Sequence, residues 1–414
     1  MIERVTRMTC YPFLFNAILK SAIFWKGVDF MRTLFVLGSF FLQPLLWLAI
    51  LRSWLTSRAR IKRERHDFSS AVYSDHYELR HMLTQGLVLG VGLSVVNLIV
   101  GVSLPLVWVL VYEALAFVSL ITLPTTLLPV TLLVVSTLVT TYLGPQLIPA
   151  IDLKPLGLSW GAVPAGSFAW LLVLVFLALG HWIVHYGGRF ASPRIYAKQR
   201  GKRIAGYPWR ELLVVPLVTL VPGDWFSSTW RFWPMLTLHG HSFAVMILPL
   251  LLGVRFTVFR EQPKVVYQRL AHHLVGLAGL ALLAMGWLFW RPQDLPAVLV
   301  ILLVCYGGCL WRAKRYDQRQ SFWYSQVDDG VRVLAIRPGT PAMKLDLAAG
   351  DIILECNHRA VNSETAFYEA LLINPTYCHL RVRNMAGDLK VTETAIYSGA
   401  PHEIGIVLFR DQEG

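Results

Sequence analysis

The sequence predicts a polytopic α-helical membrane bundle of about nine spans, followed by one small α+β domain. Three observations carry this expectation. Of 414 residues, 55% are hydrophobic and only 15% charged, against about 25% charged in soluble domains. The charge is gathered into short basic clusters between long uncharged runs. The C-terminal stretch from residue 324 onward instead has the composition of ordinary soluble protein. The organisation that follows is an N-terminal extension over 1–32, read as interfacial, a helical domain over 33–311, a basic linker over 312–323 and a C-terminal domain over 324–414.

The extension is not a clean secretory signal, because Lys20 and Lys26 interrupt its apolar run and no small-residue cleavage site follows. Met31 offers a second start. A helical span needs about 20 apolar residues, and residues 33–51 supply the first. Residues 83–143 carry a single charge, Glu113, and hold three, with turns near Ser103–Pro105 and Pro124. Residues 167–188 give a fifth, 212–226 and 236–254 a sixth and seventh, and 274–290 and 296–311 the last two.

Orientation follows the basic loops, which stay cytoplasmic. Segments 52–81, 189–210, 255–269 and 312–319 together hold 22 Lys and Arg, while the intervening loops hold three, Lys154, Arg231 and Arg291. An even number of crossings separates each pair of basic loops, so the C-terminal domain is expected in the cytoplasm. The basic residues flank apolar runs and form no face on a soluble domain. The net charge of +13 therefore does not point to nucleic acid. One reading of these clusters is topology alone. The sharper expectation is contact with anionic lipid or an acidic partner at the cytoplasmic loops, above all at RARIKRERHDF (58–68), since juxtamembrane cations contribute about 1 kcal/mol each near an anionic leaflet. A solvated helical face running on through Glu78 and Arg80 is the other reading of that segment.

Intramembrane polar groups are candidates for function. Glu113 sits mid-span with no evident partner. It reads as a packing residue or as an ion or proton site. His181 and His185 share a helix face, but no Glu adjoins them and no third ligand stands at a metal spacing. His239, His241, His272 and His273 lie near membrane edges. No span carries His-Glu-x-x-His, a Gly-x-Ser-x-Gly turn or a phosphate loop, so no catalytic, metal or cofactor site is expected. His402–Glu403 begins like a zinc motif, yet position 406 is Ile. The five cysteines form no Cys-x-x-Cys, and Cys356 and Cys378 are expected as buried, reduced thiols.

In the C-terminal domain, VRVLAI alternates as a strand, RPGTPA is a turn, LAAGD a tight glycine turn, and IILECN and NHRAV a hairpin. A helix follows over 363–373, with Ser363 as N-cap, then strands HLRVR and LKVTETAIY. This run resembles a PDZ domain of bacterial style. Such domains add a peptide to a sheet edge beside the helix, and backbone N–H groups receive its carboxylate. The resemblance lacks the carboxylate loop and its strand at the usual place. Glu403, Ile404, Gly405 and Ile406 supply an apolar-Gly-apolar turn before a strand at the end, so the domain is expected to be circularly permuted. The peptide would lie between 404–409 and the helix, with Tyr368 and Leu371 lining the groove and Phe367 as the alternative to Tyr368. An edge strand that only closes the fold is the other reading of 402–409.

RIKRERHDF and ELR after the first span, SPR with RGK in the next basic loop, and the C-terminal PDZ-like domain together resemble the MinJ family of Firmicutes. The resemblance implies a non-enzymatic adaptor in division-site selection at the septum and poles. It would link a DivIVA-like scaffold to a MinD-like ATPase, and so to the MinC–MinD division inhibitor, and could assemble as a homo-oligomer. A PDZ-containing protease regulator and a transporter that depends on Glu113 are the rival readings.

Overall fold

The computed structural model describes residues 32, 34–68, 70–122, 128–147, 158, 160, 164–190, 192–197, 203–227, 242–320, 324–396 and 404–410. Expectations for residues 1–30, His239, His241 and Glu403 fall outside them. Helix α1 (Leu34–Leu42) and α2 (Pro44–Phe68) meet at a 49° bend, where Pro44 cannot continue an incoming helix. Helices α3 (Tyr77–Val100), α4 (Leu106–Thr122) and α5 (Leu128–Leu147) fill the long apolar region, and α6 is Gly166–Tyr186. Helix α7 (Pro263–Trp290) and α8 (Leu295–Arg319) complete this part. The expected linker at 312–319 is the end of α8.

Among the described residues four helices, α3, α6, α7 and the segment containing α8, are long and apolar enough to cross a membrane, or five if the bent α1–α2 pair is one span. Helices α4 and α5 are apolar but shorter. Helix α6 is the central member, with Phe176 and Trp182 fully buried. The outer faces of α3, α7 and α8 expose Leu87, Val91, Leu283 and Val304. Exposed apolar faces of this extent suit a hydrocarbon surrounding.

The expected sixth and seventh spans are not helices. Short strand β1 (Arg194–Ala197) leads to β2 (Arg203–Ser227), which pairs antiparallel with β3 (Ser242–Val258). The register runs unbroken from Tyr207↔Val258 to Pro222↔Phe243, roughly 50 Å at about 3.3 Å per residue. Valine and threonine at 214, 215, 218, 219 and 221 favour extended backbone. The prolines decide the matter. In an antiparallel pair, alternate residues turn their N–H toward the partner or away from it. Val218 and Leu251 turn theirs away, because Val218 N–H donates to Ser94 Oγ (2.8 Å) and Leu251 N–H to the Tyr112 hydroxyl (2.9 Å). Pro208, Pro216 and Pro222 share the parity of Val218, and Pro249 that of Leu251. Each proline therefore stands where no ladder bond is lost.

The hairpin is packed inside helices, with Leu213, Val215, Leu248 and Leu250 fully buried. Gly86, Gly90, Ser94 and Asn97 form the face of α3 laid against β2. A Cβ on Gly86 would lie 2.2 Å from the Val214 carbonyl oxygen, and one on Gly90 would enter the Pro216 ring. Ser94 Oγ donates to the Pro216 carbonyl (3.2 Å) and Asn97 Nδ2 to that of Val218 (2.9 Å). Farther along, Leu104 N–H donates to Leu220 C=O (2.8 Å), and Leu220 N–H donates to Val102 C=O (3.3 Å). On the β3 side, Gln43 Nε2 donates to Ile247 C=O (3.1 Å).

The C-terminal domain holds β4 (Val331–Arg332), β5 (Ala335–Ile336), β6 (Ile352–Cys356), β7 (Arg359–Ala360), α9 (Glu364–Leu372), β8 (Tyr377–Arg383), β9 (Leu389–Ala395) and β10 (Ile406–Val407). Its main sheet has the order β4-β6-β8-β9, with β7 paired to β6, and β10 pairs antiparallel with β5. Val333, Ile353, Phe367, Leu380 and Val382 are fully buried in its core.

Gly86→Ala is expected to lower the melting temperature of the purified protein, whereas Gly92→Ala, whose Cβ meets nothing within 4 Å, leaves it unchanged. Asn97→Leu strands the Val218 carbonyl and is expected to cost about 1–3 kcal/mol, measured by thermal melting in detergent. Equal melting of Gly86→Ala and Gly92→Ala would refute the close packing of α3 on β2.

Candidate functional site

The groove expected in the C-terminal domain is built on two turns. Gly405 has φ +88°, the left-handed region that favours glycine. A Cβ there would lie 2.0 Å from Thr340 Oγ1. Thr340 Oγ1 donates to the Arg337 carbonyl (2.7 Å), and Arg337 N–H donates to the Gly405 carbonyl (2.8 Å). The Ile404–Ile406 turn is thereby clamped to RPGTPA. Ile404, Ile406 and Leu408 are buried in the domain core.

Helix α9 begins as expected, with Ser363 Oγ accepting from Ala366 N–H (3.0 Å). Phe367 and Leu371, one turn apart, are both fully buried in the core. Leu371 is therefore a core residue in this structure, where the sequence placed it on the groove. Tyr368 is the half-buried one of the 367/368 pair. Its phenol is pushed up to about 12 by burial, reinforced by Glu364 and opposed by Arg337. The Arg337 backbone thus holds the Gly405 turn, and its guanidinium donates to Ser70 Oγ after α2. Sequence reasoning missed this cation, although it adjoins the turn proline.

The outer face of the same strand is occupied. Val407 and Phe409 pack with Leu334 and Ala335 against Phe68, Val72, Ala205 and Tyr207 of the helical domain. The Tyr207 hydroxyl donates to Leu334 C=O (2.8 Å) and Ala205 N–H to Tyr324 C=O (2.7 Å). Tyr324 sits edge-on to Tyr207, with centroids 4.7 Å apart. Beneath it, the buried Asp317 carboxylate accepts the backbone N–H groups of Phe259 (3.1 Å), Arg260 (3.0 Å) and Glu261 (3.1 Å), which fixes the end of α8 to the β3–α7 turn. The domain is docked on the base of the hairpin.

The short motifs after the first span converge in space. Arg60 is buried, and all five of its N–H groups are used. Nε donates to Glu78 Oε1 (2.6 Å), Nη1 to Glu64 Oε1 (3.1 Å) and Tyr73 C=O (2.7 Å), and Nη2 to Glu78 Oε2 (3.1 Å) and Asp75 C=O (2.7 Å). The Tyr77 ring lies under its guanidinium at 4.4 Å. Glu64 also accepts from Ser192 Oγ (2.5 Å) and from Val72 N–H (2.8 Å). RIKRERHDF, ELR and SPR therefore build one buried ionic knot. Beside it, Glu211 faces His81 (3.2 Å) and accepts from Trp209 Nε1 (2.9 Å).

His181 and His185 are exposed on α6, with ring centroids 4.2 Å apart, and the His185 Nδ1 lies 2.9 Å from the His181 carbonyl. Glu113 is half-buried on α4. Among the described residues no group of three His, Cys, Asp or Glu side chains is placed to hold a metal. Cys356 and Cys378 are buried free thiols.

A bundle of apolar helices with a PDZ domain attached defines the class as a membrane protein carrying a protein-interaction module. The sequence profile described as "PDZ domain" matches residues 321–376. The chain is 30% identical over 373 residues to the "Probable cell division topological determinant MinJ" of Lacticaseibacillus paracasei, covering 88% of this chain and 95% of that protein. It is 30% identical over 399 residues to the "Cell division topological determinant MinJ" of Bacillus subtilis (strain 168), covering 93% and 96%. The chain belongs to the MinJ family.

Glu78→Gln leaves Arg60 buried with half its countercharge and is expected to cost roughly 3–5 kcal/mol, read as a fall in melting temperature. Gly405→Ala combines a strained φ with a clash on Thr340. It is expected to destabilise the PDZ domain by more than about 1 kcal/mol, seen as faster proteolysis of residues 324–414 in the full chain. Unchanged proteolysis would refute the clamp.

Proposed function

We propose that this protein is a non-enzymatic, multi-pass membrane adaptor in division-site selection. It links a DivIVA-like polar and septal scaffold to a MinD-like ATPase, and through it to the MinC–MinD inhibitor. The observation that carries this reading is similarity along about nine-tenths of the chain to proteins named cell division topological determinants. The PDZ domain supplies the means of holding a protein partner.

The PDZ domain is cytoplasmic in this reading, because a hairpin returns to the side it left, as two helical spans would. The count of basic residues on either side is unaffected. The domain is circularly permuted: its last strand supplies the partner of Ala335–Ile336 near its start. A partner segment adds at 404–409, with the Ile404–Gly405–Ile406 turn and Glu403 at its carboxylate end, Tyr368 beside it, and Leu371 behind them in the core. Arg58, Lys62 and Arg65, on an exposed face of α2, meet anionic lipid. Copies of the chain associate in the plane of the membrane.

Fluorescence localisation of the full chain, with and without residues 322–414, tests the reading. Septal and polar enrichment is expected for the intact chain. Uniform membrane distribution of the intact, stably expressed protein would rule out the division role. Tyr368→Ala is expected to weaken capture of the scaffold or ATPase in a two-hybrid or pull-down assay without changing membrane insertion. Undiminished capture would remove Tyr368 from the groove.

A further inference from the structure

We propose that a cavity of about 360 Å³ between α2, β1 and the base of the hairpin binds a phosphate-bearing anion. The volume is within the range of small-ligand sites, about 300–1,000 Å³. Six arginines line it: Arg52, Arg60 and Arg63 from α2, Arg194 from β1, Arg210 from β2 and Arg255 from β3. The lining carboxylates are Glu78 and Glu211. Six cations against these two anions and Glu64, which lies behind Arg60 at 3.1 Å, leave a net +3, counting His81 behind Glu211 as neutral.

The two carboxylates are committed elsewhere. Glu78 holds Arg60 and the Ser57 hydroxyl, and Glu211 faces His81 and Trp209. Arg60 has no N–H left to give. Arg63 and Arg210 are different: the Nε of each is buried with no hydrogen-bond partner among the described residues. A half-buried guanidinium with an idle donor is costly, and like charges around one cavity add to that cost. An anion in the cavity offsets that repulsion.

The geometry favours phosphate over a single carboxylate. The guanidiniums come from four separate elements and surround a volume. Each is a planar fork suited to two oxygens. A phosphate presents acceptor oxygens in several directions at once, whereas one carboxylate presents them in a plane. Two sources carry this group. Leu51 and Leu55 flank Arg52 on α2 and are about half exposed, so the cavity borders the apolar exterior, and an anionic lipid whose tails lie against these leucines brings its headgroup to the arginines. A soluble phosphate compound reaches the same arginines from the water side. The site is separate from the PDZ groove and from the exposed Arg58–Lys62–Arg65 face, and it stands whether or not the division reading holds.

The full-length chain, reconstituted in phosphatidylcholine nanodiscs, is melted alone, with cardiolipin included in the disc, and with inorganic pyrophosphate added. At least one addition is expected to raise the melting temperature by several degrees. That rise is lost in R63Q/R210Q and kept in R359Q, which alters an exposed arginine of the PDZ domain. A rise with cardiolipin alone identifies the lipid source, one with pyrophosphate alone the soluble source, and one with both the phosphate group itself. No rise in either arm, or a rise fully retained in R63Q/R210Q, overturns the site. If R63Q/R210Q does not fold, native mass spectrometry of the wild-type chain decides. One retained cardiolipin or pyrophosphate per chain is expected, and none retained overturns the proposal.

Discussion

In an apolar surrounding every backbone N–H and C=O needs a partner inside the protein, and the β2–β3 hairpin is where this chain meets that demand. A helix satisfies its own backbone. A two-stranded ribbon satisfies only its inner rows and leaves two outer edges bare. Here the outer rows are met one group at a time. Ser94 and Asn97 serve β2, while Tyr112 and Gln43 serve β3. Four prolines remove donors that would otherwise need partners. The small residues of α3 follow from the same need, since only glycine lets a helix come close enough to a strand edge for a serine one turn away to reach it.

The hairpin also connects the two functional parts. Its base carries Arg210, Glu211 and Arg255 into the arginine-lined cavity, and its Ala205 and Tyr207 into the contact with Tyr324 and Leu334. Burial and the nearby Arg255 hold the Arg210 guanidinium below its ordinary pKa, which marks how crowded with like charge that corner is. The PDZ strand that is proposed to hold a partner has its outer residues, Val407 and Phe409, seated on the same base. The module is thus fixed to the bundle along that strand, and a loose tether plays no part in that contact.

Much of this was legible in the residues. Helices α3 to α8 fall close to the apolar runs that foretold them, because a 20-residue apolar stretch is a strong signal. The PDZ-like order of turns was readable because RPGTPA and LAAGD need particular backbone conformations. Ser363 was readable because a cap is local. The expected spans 212–226 and 236–254, the second described from residue 242 onward, misled because hydropathy measures burial and is silent on backbone shape. The spacing of Pro208, Pro216 and Pro222, all of one parity, together with the valines, was the available sign of a strand. The ionic knot of Arg60, Glu64, Glu78 and Ser192 was illegible for another reason: its members are up to 132 positions apart, and only the fold brings them together. Leu371 was misplaced because helical periodicity alone does not say which side of α9 faces the core.

The chain order of the hairpin's partners has a consequence for biosynthesis. Ribosomes deliver the N-terminal part first. Gln43, Ser94, Asn97 and Tyr112 therefore enter the bilayer before β2 and β3 are made. The apolar strands emerge with a lined berth already waiting, and are spared a period in lipid with bare edges. Moving the hairpin ahead of α3 by circular permutation would keep every contact of the finished protein and reverse that sequence of events.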